Sequence, residues 1–171
     1  MLQLSVSFTS RAVLSLRTGT QIGVTLAPII NPNNLKIEGF YCQIPHNKKE
    51  LILLSQDIRE IIPQGFVVND QDAFSLPEEL VRLQRVLDHH FEILGKQVIT
   101  ASGEKMGKVG DYAADTQSMF IHKLYVNRSL LKHFASGSLG IDRTQIIDIT
   151  DKAIIVNDLQ QKVPAHANAI A

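Results

Sequence analysis

Short apolar stretches separated by turn-forming residues run along most of the chain and predict a mainly β protein. In the first half these stretches are AVLSL, IGVTLAPII, LKIEGFYCQI, ELILL, IREI and GFVV, and in the second half they are KQVITA, KVGDYAAD, MFIHKLYV, TQIIDIT and AIIVND. Stretches of this length, bounded by Gly, Asn, Asp and Ser, are typical of β-strands joined by turns. Five or six strands within about 80 residues favour a small barrel, because an open sheet leaves adhesive edges.

The two halves of the chain resemble each other at a nearly constant spacing. The segment 18–42 aligns with 102–126 at an offset of 84 residues, and the segment 61–69 aligns with 149–157 at an offset of 88 residues. The change in spacing places a four-residue insertion within 127–140, a loop-like segment where insertions are tolerated. The pattern predicts an internal duplication, in which GFVVND and AIIVND mark the last strand and exit turn of each copy. The aligned pairs are Gly23 with Gly107, Tyr41 with Tyr125, Ile61 with Ile149 and Asn69 with Asn157.

Between the copies, residues 75–92 have a helical pattern. Ser75 and Glu78 have the spacing of a capping box, and Pro77 is tolerated in a first helical turn. Apolar residues recur every three or four positions, which predicts an amphipathic helix. Its apolar stripe must be buried against the first barrel, the second barrel or the same helix of a second subunit, so it is a candidate inter-barrel or oligomer interface. The residues of this candidate interface are Leu80, Leu83, Leu87 and Phe91.

The overall composition argues against several classes of protein. Seventeen basic and seventeen acidic residues cancel, which disfavours a general polyanion binder. The single cysteine excludes an intramolecular disulfide, and the N-terminal residues lack the order of a secretory signal. No apolar run approaches the roughly 20 residues of a membrane-spanning helix. We therefore expect a cytoplasmic protein that does not insert directly into a membrane.

The second half of the chain has a small excess of positive charge. Residues 93–171 contain nine Lys and Arg against seven Asp and Glu, whereas residues 1–92 contain eight against ten. Lysines of the second half could form a weak basic face, but no aromatic residues alternate with them to stack on bases. A solvated surface is the simpler interpretation, and contact with RNA or the ribosome is the alternative. The lysines of this candidate face are Lys96, Lys105, Lys108 and Lys123.

No group of residues predicts catalysis or a metal site. His89 and His90 are adjacent, so on a helix their side chains diverge by about 100° and do not share an ion. Cys42 lies in a predicted strand and is expected to fill a core position. Asp111 and Asp115 would lie about 13 Å apart along a strand, which favours a structural role at the strand end. We expect neither an enzyme nor a bound cofactor or metal.

The second copy resembles a PRC-barrel domain. The resemblance rests on LGKQVITASGEKMGKVGDYAADTQSMFIHKLYV, with its Gly-Lys-x-Val opening at Gly95, and on DRTQIIDITDKAIIVND. The first copy matches more loosely, through TGTQIGV and SQDIREIIPQGFVVND, and lacks acidic residues at the positions of Asp111 and Asp115. The resemblance implies two small PRC-type β-barrels related by internal duplication and joined by the amphipathic α-helix. The expected bounds are 1–74 for the first barrel, 75–92 for the linker helix, 93–160 for the second barrel and 161–171 for a flexible tail.

Proteins of the PRC-barrel class include the photosynthetic reaction-centre H subunit, the C-terminal part of the bacterial ribosome maturation factor and tandem proteins of prokaryotic cell division. Because docking on a protein partner unites them, the resemblance implies a non-enzymatic adaptor or scaffold in cell division or envelope-associated assembly. The alternative is a ribosome maturation or RNA-processing assembly factor, although the first half of this chain is itself PRC-like. We expect an unidentified protein partner, with a homodimer as the second alternative.

Overall fold

The protein is mainly β, as the sequence predicts. The computed structural model describes residues 1–127 and 137–158; the tail expected at 161–171 and most of the inserted loop lie outside this part. The strands before the helix are β1 (Leu2–Leu4), β2 (Ala12–Ser15), β3 (Gln21–Asn31), β4 (Lys36–Gln43), β5 (Leu51–Leu54), β6 (Glu60–Ile62), β7 (Gly65–Val68) and β8 (Phe74–Ser75). Helix α1 (Gln84–His89) is followed by β9 (Gln97–Thr100), β10 (Lys105–Asp115), β11 (Ile121–Asn127), β12 (Ser138–Asp142), β13 (Ile146–Ile149) and β14 (Ala153–Val156).

The strands form two sheets with the same order of connections. The first sheet has the order β6-β7-β2-β3-β4-β5-β8, and the second has the order β13-β14-β9-β10-β11-β12, with β1 added beside β10. Each sheet contains one parallel pair, β2 with β7 in the first and β9 with β14 in the second. Along the sheet order β6-β7-β2-β3-β4-β5, each strand of the first sheet has a counterpart at the same place in the second sheet.

The pairing registers of the two sheets also correspond. Val24 lies opposite Gln43 in the first sheet, and Lys108 lies opposite Asn127 in the second, so both partners are shifted by 84 residues. The β6–β7 and β13–β14 pairs correspond at a shift of 88 residues. Both long hairpins also change register at two equivalent places. The register shifts lie between Thr25 and Ala27 and between Ile29 and Ile30 in the first hairpin, and between Val109 and Asp111 and between Ala113 and Ala114 in the second.

Neither sheet is closed by backbone pairing within the described residues, which differs from the expected barrels. The first sheet ends at β6 and β8, and the main path of the second ends at β12 and β13. Strands β6 and β8 contain only three and two residues. Very short edge strands offer little backbone for pairing with other chains. The first sheet therefore limits its adhesive edges by shortening them rather than by closing.

The continuous helix predicted for residues 75–92 is wrong in its extent. Strand β8 occupies its start, and two 3-10 turns, Pro77–Glu79 and Val81–Leu83, precede the six-residue α1. The N–H of Leu76 donates to the Glu79 carboxylate at 2.8 Å, so the first turn begins one residue later than the capping pattern predicts. Short helices are marginal on their own, so packing against the sheet, rather than periodicity, sets this backbone.

One hydrophobic core continues through both halves of the chain. Phe8, Phe40 and Phe66 from the first half belong to the same buried cluster as Tyr112 and Leu124 from the second. Backbone hydrogen bonds also cross between the halves. The N–H of Ile37 donates to the Met119 carbonyl at 2.8 Å, and the N–H of Ile121 donates to the Leu35 carbonyl at 2.9 Å. The two sheets therefore depend on each other for burial of their apolar faces.

Tyr112 carries a polar group into this core. Its side chain is fully buried, and its hydroxyl has no hydrogen-bond partner among residues 1–127 and 137–158. Burial raises the pKa of this phenol well above its ordinary value. Because an unpaired buried hydroxyl costs about 1–3 kcal/mol, we expect Tyr112→Phe to leave the free energy of unfolding unchanged or to raise it by about 1 kcal/mol. Urea denaturation measures the change.

The matched control for this substitution is Tyr125→Phe, at the half-buried tyrosine of β11. We expect it to change the free energy of unfolding by less than about 0.5 kcal/mol. A loss of more than about 1 kcal/mol in Tyr112→Phe would show that the buried hydroxyl makes a stabilising hydrogen bond.

Candidate functional site

The N-terminal strand β1 forms an exposed edge of the second sheet. It runs antiparallel to the end of β10, with Leu2 opposite Asp115. The N–H of Thr116 donates to the Met1 carbonyl at 3.0 Å, so the hydrogen-bonded pairs of this ladder use the odd-numbered residues of β1. The backbone N–H and C=O of Leu2 and the N–H of Leu4 therefore point away from β10, toward the free edge, whereas the Leu4 carbonyl begins the following 3-10 turn.

Apolar side chains accompany these backbone groups. Leu2 is 53% exposed, Leu4 is 44% exposed and Val6, in the following 3-10 turn, is 72% exposed. We call this surface, made by Leu2, Leu4 and Val6, the β1 edge. Outward-directed backbone groups beside exposed apolar side chains are a template for pairing with another chain. The β1 edge is therefore the candidate docking site.

Two aspartates fasten the N-terminal segment to β10. The Met1 ammonium lies 2.6 Å from the Asp115 carboxylate, which also accepts hydrogen bonds from the N–H and hydroxyl of Ser118 at 2.9 Å. The hydrogen bond from this ammonium, reinforced by Ser118, holds the pKa of Asp115 far below its ordinary value. The Asp111 carboxylate accepts the N–H of Ser5 at 3.2 Å. Both carboxylates thus position the β1 edge, which is consistent with the structural role expected for them.

The first half of the chain lacks acidic residues at the two positions that correspond to Asp111 and Asp115. The positions equivalent to Asp111 and Asp115, at the 84-residue offset, hold Ala27 and Asn31. In the described part of the chain, the first sheet has no strand equivalent to β1. The two halves of the chain therefore differ in sequence at the place where the N-terminal strand joins the second sheet.

The sequence does not predict the β1 edge, because its internal repeat assigns residues 1–74 to the first unit. A signal was present: in LQLSVSF, the apolar residues alternate with polar ones at the period of a strand. That pattern identifies a half-exposed strand. It does not identify the sheet that the strand joins, because pairing between distant segments is decided by the tertiary structure.

The predicted interface leucines pack within the chain. Leu87 is buried in a small cluster with Ile29 and Ile52 of the first sheet, and Leu80 and Leu83 pack around it. Phe91, in contrast, belongs to the main core. The four residues therefore divide between two clusters instead of forming one stripe. The first of the expected alternatives, burial against the preceding sheet, describes Leu80, Leu83 and Leu87.

The predicted basic face is brought together only in part. Lys96 and Lys108 line the same cavity, which also contains Lys152. Lys105 is exposed on β10 but does not line this cavity. Lys123 lies on β11 opposite Asp142. Hydrogen bonds from the N–H and hydroxyl of Thr144 lower the pKa of Asp142, and the charge of Lys123 adds to this effect. The structure therefore places three lysines, two of them among the predicted four, at one cavity.

The residues considered for chemistry occupy structural positions. Cys42 is buried, and burial raises the pKa of its thiol to about 12, so the reactive thiolate is disfavoured at neutral pH. The carboxylate of Asp70 accepts the N–H of Asp72, and that of Asp158 accepts the N–H and hydroxyl of Ser102. These contacts are typical of Asp at the end of a strand. Within residues 1–127 and 137–158, no three His, Cys, Asp or Glu side chains converge as metal ligands.

Among the described residues, no helix has the length and apolar character needed to cross a membrane.

Comparison with known proteins finds no matching family model and no matching curated protein.

Proposed function

We propose that the chain is a cytoplasmic, non-enzymatic adaptor or scaffold made of two related PRC-type barrel units, joined through α1 and the turns before it. The duplication is supported by the common strand order of the two sheets and by ladders that repeat at offsets of 84 and 88 residues. The proposed setting is an assembly in cell division or at the cell envelope. The partner is a second protein rather than a substrate.

The β1 edge is the observation that carries this proposal. Its outward backbone groups can form a new antiparallel or parallel ladder with an extended segment of a partner. Main-chain hydrogen bonds supply affinity in such strand addition, and side chains at alternate positions supply specificity. Leu2, Leu4 and Val6 provide the apolar contacts, and the Asp111 and Asp115 anchors hold the strand in place before the partner arrives. A preformed strand reduces the entropy lost on binding.

Leu4→Pro tests strand addition at the β1 edge. Leu4 has a φ of −73°, which is compatible with the proline ring, and its N–H points away from β10. The substitution therefore removes a docking donor while keeping the β1–β10 ladder. We expect it to weaken binding about tenfold, which corresponds to the loss of a hydrogen bond and its apolar contact. The measurement is the affinity for a protein first captured by the wild-type chain and identified by mass spectrometry.

Two further variants show whether a loss of affinity comes from the backbone N–H or from the side chain. Leu4→Ala keeps the N–H and removes only the side chain, so it should weaken binding less than Leu4→Pro. Leu16→Ala changes an exposed leucine outside the β1 edge and should bind as the wild type does. Undiminished affinity in Leu4→Pro would rule out strand addition at this edge. Salt-dependent association with ribosomal subunits would instead favour the ribosome maturation alternative.

A further inference from the structure

A cavity of about 560 Å³ lies between the segment after α1 and the turn before β14. Residues of the segment 89–97 form one side, and Lys108, Asp151 and Lys152 form the other. Cavities of this size are typical of small-molecule sites. The β1 edge shares none of these residues, so the cavity is distinct from the candidate docking site.

Lys96 is held in a fixed position at this cavity. Its ammonium donates to the Asp151 carbonyl at 2.9 Å and lies 4.8 Å from the centre of the Phe91 ring. The Phe91 side chain is itself buried, so the ring cannot move away easily. A cation–π contact and a hydrogen bond together restrict the long lysine side chain. The ammonium therefore reaches the cavity with little further loss of conformational entropy.

Positive charge exceeds negative charge around the cavity. Three lysines and two histidines line it, against the carboxylates of Glu92 and Asp151. His89 approaches the Asp151 carboxylate at 3.0 Å between Nε2 and Oδ1, so this acid already has a partner. The lining carries one net positive charge with both histidines neutral, and three with both protonated. The net positive charge of the lining therefore attracts an anion whether the two histidines are neutral or protonated.

We propose that this cavity binds a phosphate group carried by a small organic molecule or by a lipid headgroup. A phosphate monoester has a charge of about −1.5 to −2 at pH 7, which matches several ammonium groups better than a single carboxylate does. Lysine binds phosphate as a point charge and does not require the paired geometry of arginine. The volume leaves room for the group that carries the phosphate.

Leu94 allows the two possible carriers of the phosphate group, a lipid headgroup and a soluble molecule, to be distinguished by experiment. This leucine lines the cavity and is 47% exposed. An apolar side chain beside a phosphate site can enter the boundary between headgroups and acyl chains. A free phosphate ester requires only the lysines, whereas a headgroup within a bilayer also contacts Leu94.

The experiment follows backbone amide shifts of the full chain by NMR during titration with inorganic phosphate and with glycerol 3-phosphate, at constant ionic strength. We expect saturable shifts within residues 89–97 and 151–152. Lys108→Gln should weaken binding by about fivefold, since it removes one exposed charge near the phosphate. Lys96→Gln should weaken it at least as much. Lys105→Gln is the matched control, because Lys105 is on the same strand and does not line the cavity.

A second arm uses phosphatidylcholine vesicles with and without phosphatidic acid. Co-sedimentation that requires phosphatidic acid and is reduced both by Lys108→Gln and by Leu94→Ser identifies the headgroup source. Saturable binding of glycerol 3-phosphate without vesicle binding identifies the soluble source. Shifts that do not saturate, or that persist unchanged in Lys96→Gln and Lys108→Gln, would overturn the proposal. Neither result depends on a protein partner, so the adaptor function is tested separately.

Discussion

Phe40→Ala is expected to lower the free energy of unfolding by about 3–5 kcal/mol. Phe40 is completely buried, and its ring centre lies 6.4 Å from that of Phe8 and 4.9 Å from that of Phe66. Truncation removes the apolar contacts of one ring and leaves a cavity that its two aromatic neighbours cannot fill without moving. The corresponding fall in melting temperature is roughly 10 °C for a protein of this size. Urea denaturation and thermal unfolding measure both quantities.

Because the core is continuous, the loss should affect both halves of the chain together. Tyrosine fluorescence and far-UV circular dichroism should therefore report one transition at the same lowered midpoint. Leu16→Ala, at a leucine that is 62% exposed, serves as the control and should change stability by less than about 0.5 kcal/mol. A loss below about 1 kcal/mol in Phe40→Ala would contradict the central place of this ring in the core.

Gly107→Ala has the second largest expected effect, a loss of about 2–4 kcal/mol in the free energy of unfolding. Gly107 has a φ of +137°, a conformation that residues with a Cβ rarely adopt. A Cβ atom at this position would also collide with the carbonyl oxygen of Asn127 on the paired strand and approach Val126 Cγ1 at 3.2 Å. Backbone strain and a steric clash therefore act together, and the main-chain oxygen cannot move without breaking the β10–β11 ladder.

Gly140→Ala is the matched control for this prediction. Gly140 lies in β12 of the same sheet, and its added Cβ would meet Lys123 Cδ at 3.6 Å, an ordinary contact. We expect its stability to stay within about 0.5 kcal/mol of the wild type. Equal stabilities for the two alanine variants, measured by urea denaturation, would contradict the close approach of strands at Gly107.

Gly23, the aligned glycine of the first sheet, also lies where two strands approach each other closely. A Cβ at Gly23 would lie 3.1 Å from the carbonyl oxygen of Gln43, the residue that corresponds to Asn127 at the 84-residue offset, and 2.9 Å from the Phe74 ring. The internal repeat pairs Gly23 with Gly107 but gives no reason for a glycine at either position. Only the three-dimensional structure shows that they permit a close approach between two strands of a hairpin.

The strands could be predicted because their information is local. Apolar stretches bounded by turn residues specify extended segments, and pairs such as Ile61 and Ile149 set the offset that the strand ladders follow. The secondary structure of segment 75–92 was harder to predict. Its apolar spacing fits a long helix as well as it fits 3-10 turns followed by a short helix. Contact of Leu87 with Ile29 and Ile52 selects the second arrangement.

The lysine-lined cavity was predicted less completely than the fold. Two of the four lysines, Lys96 and Lys108, do line one cavity, but Lys152 joins them from a loop 44 residues after Lys108. Nothing in the local sequence around Lys152 indicates this neighbour. Charge counting identified the more basic half of the chain, whereas the arrangement of the charges depended on how β9, β10 and the turn before β14 come together.

The sequence by itself determined the mainly β character, the positions of most strands and the spacing at which the two halves correspond. These properties follow from residue type and period, which act over a few neighbouring positions. The tertiary structure alone decided that the sheets stay open within residues 1–127 and 137–158, that the two halves share one core and that β1 pairs with β10 rather than with the first sheet. Strand edges are chemically alike along the backbone, so the choice of partner depends on long-range packing and on anchors such as Asp111 and Asp115.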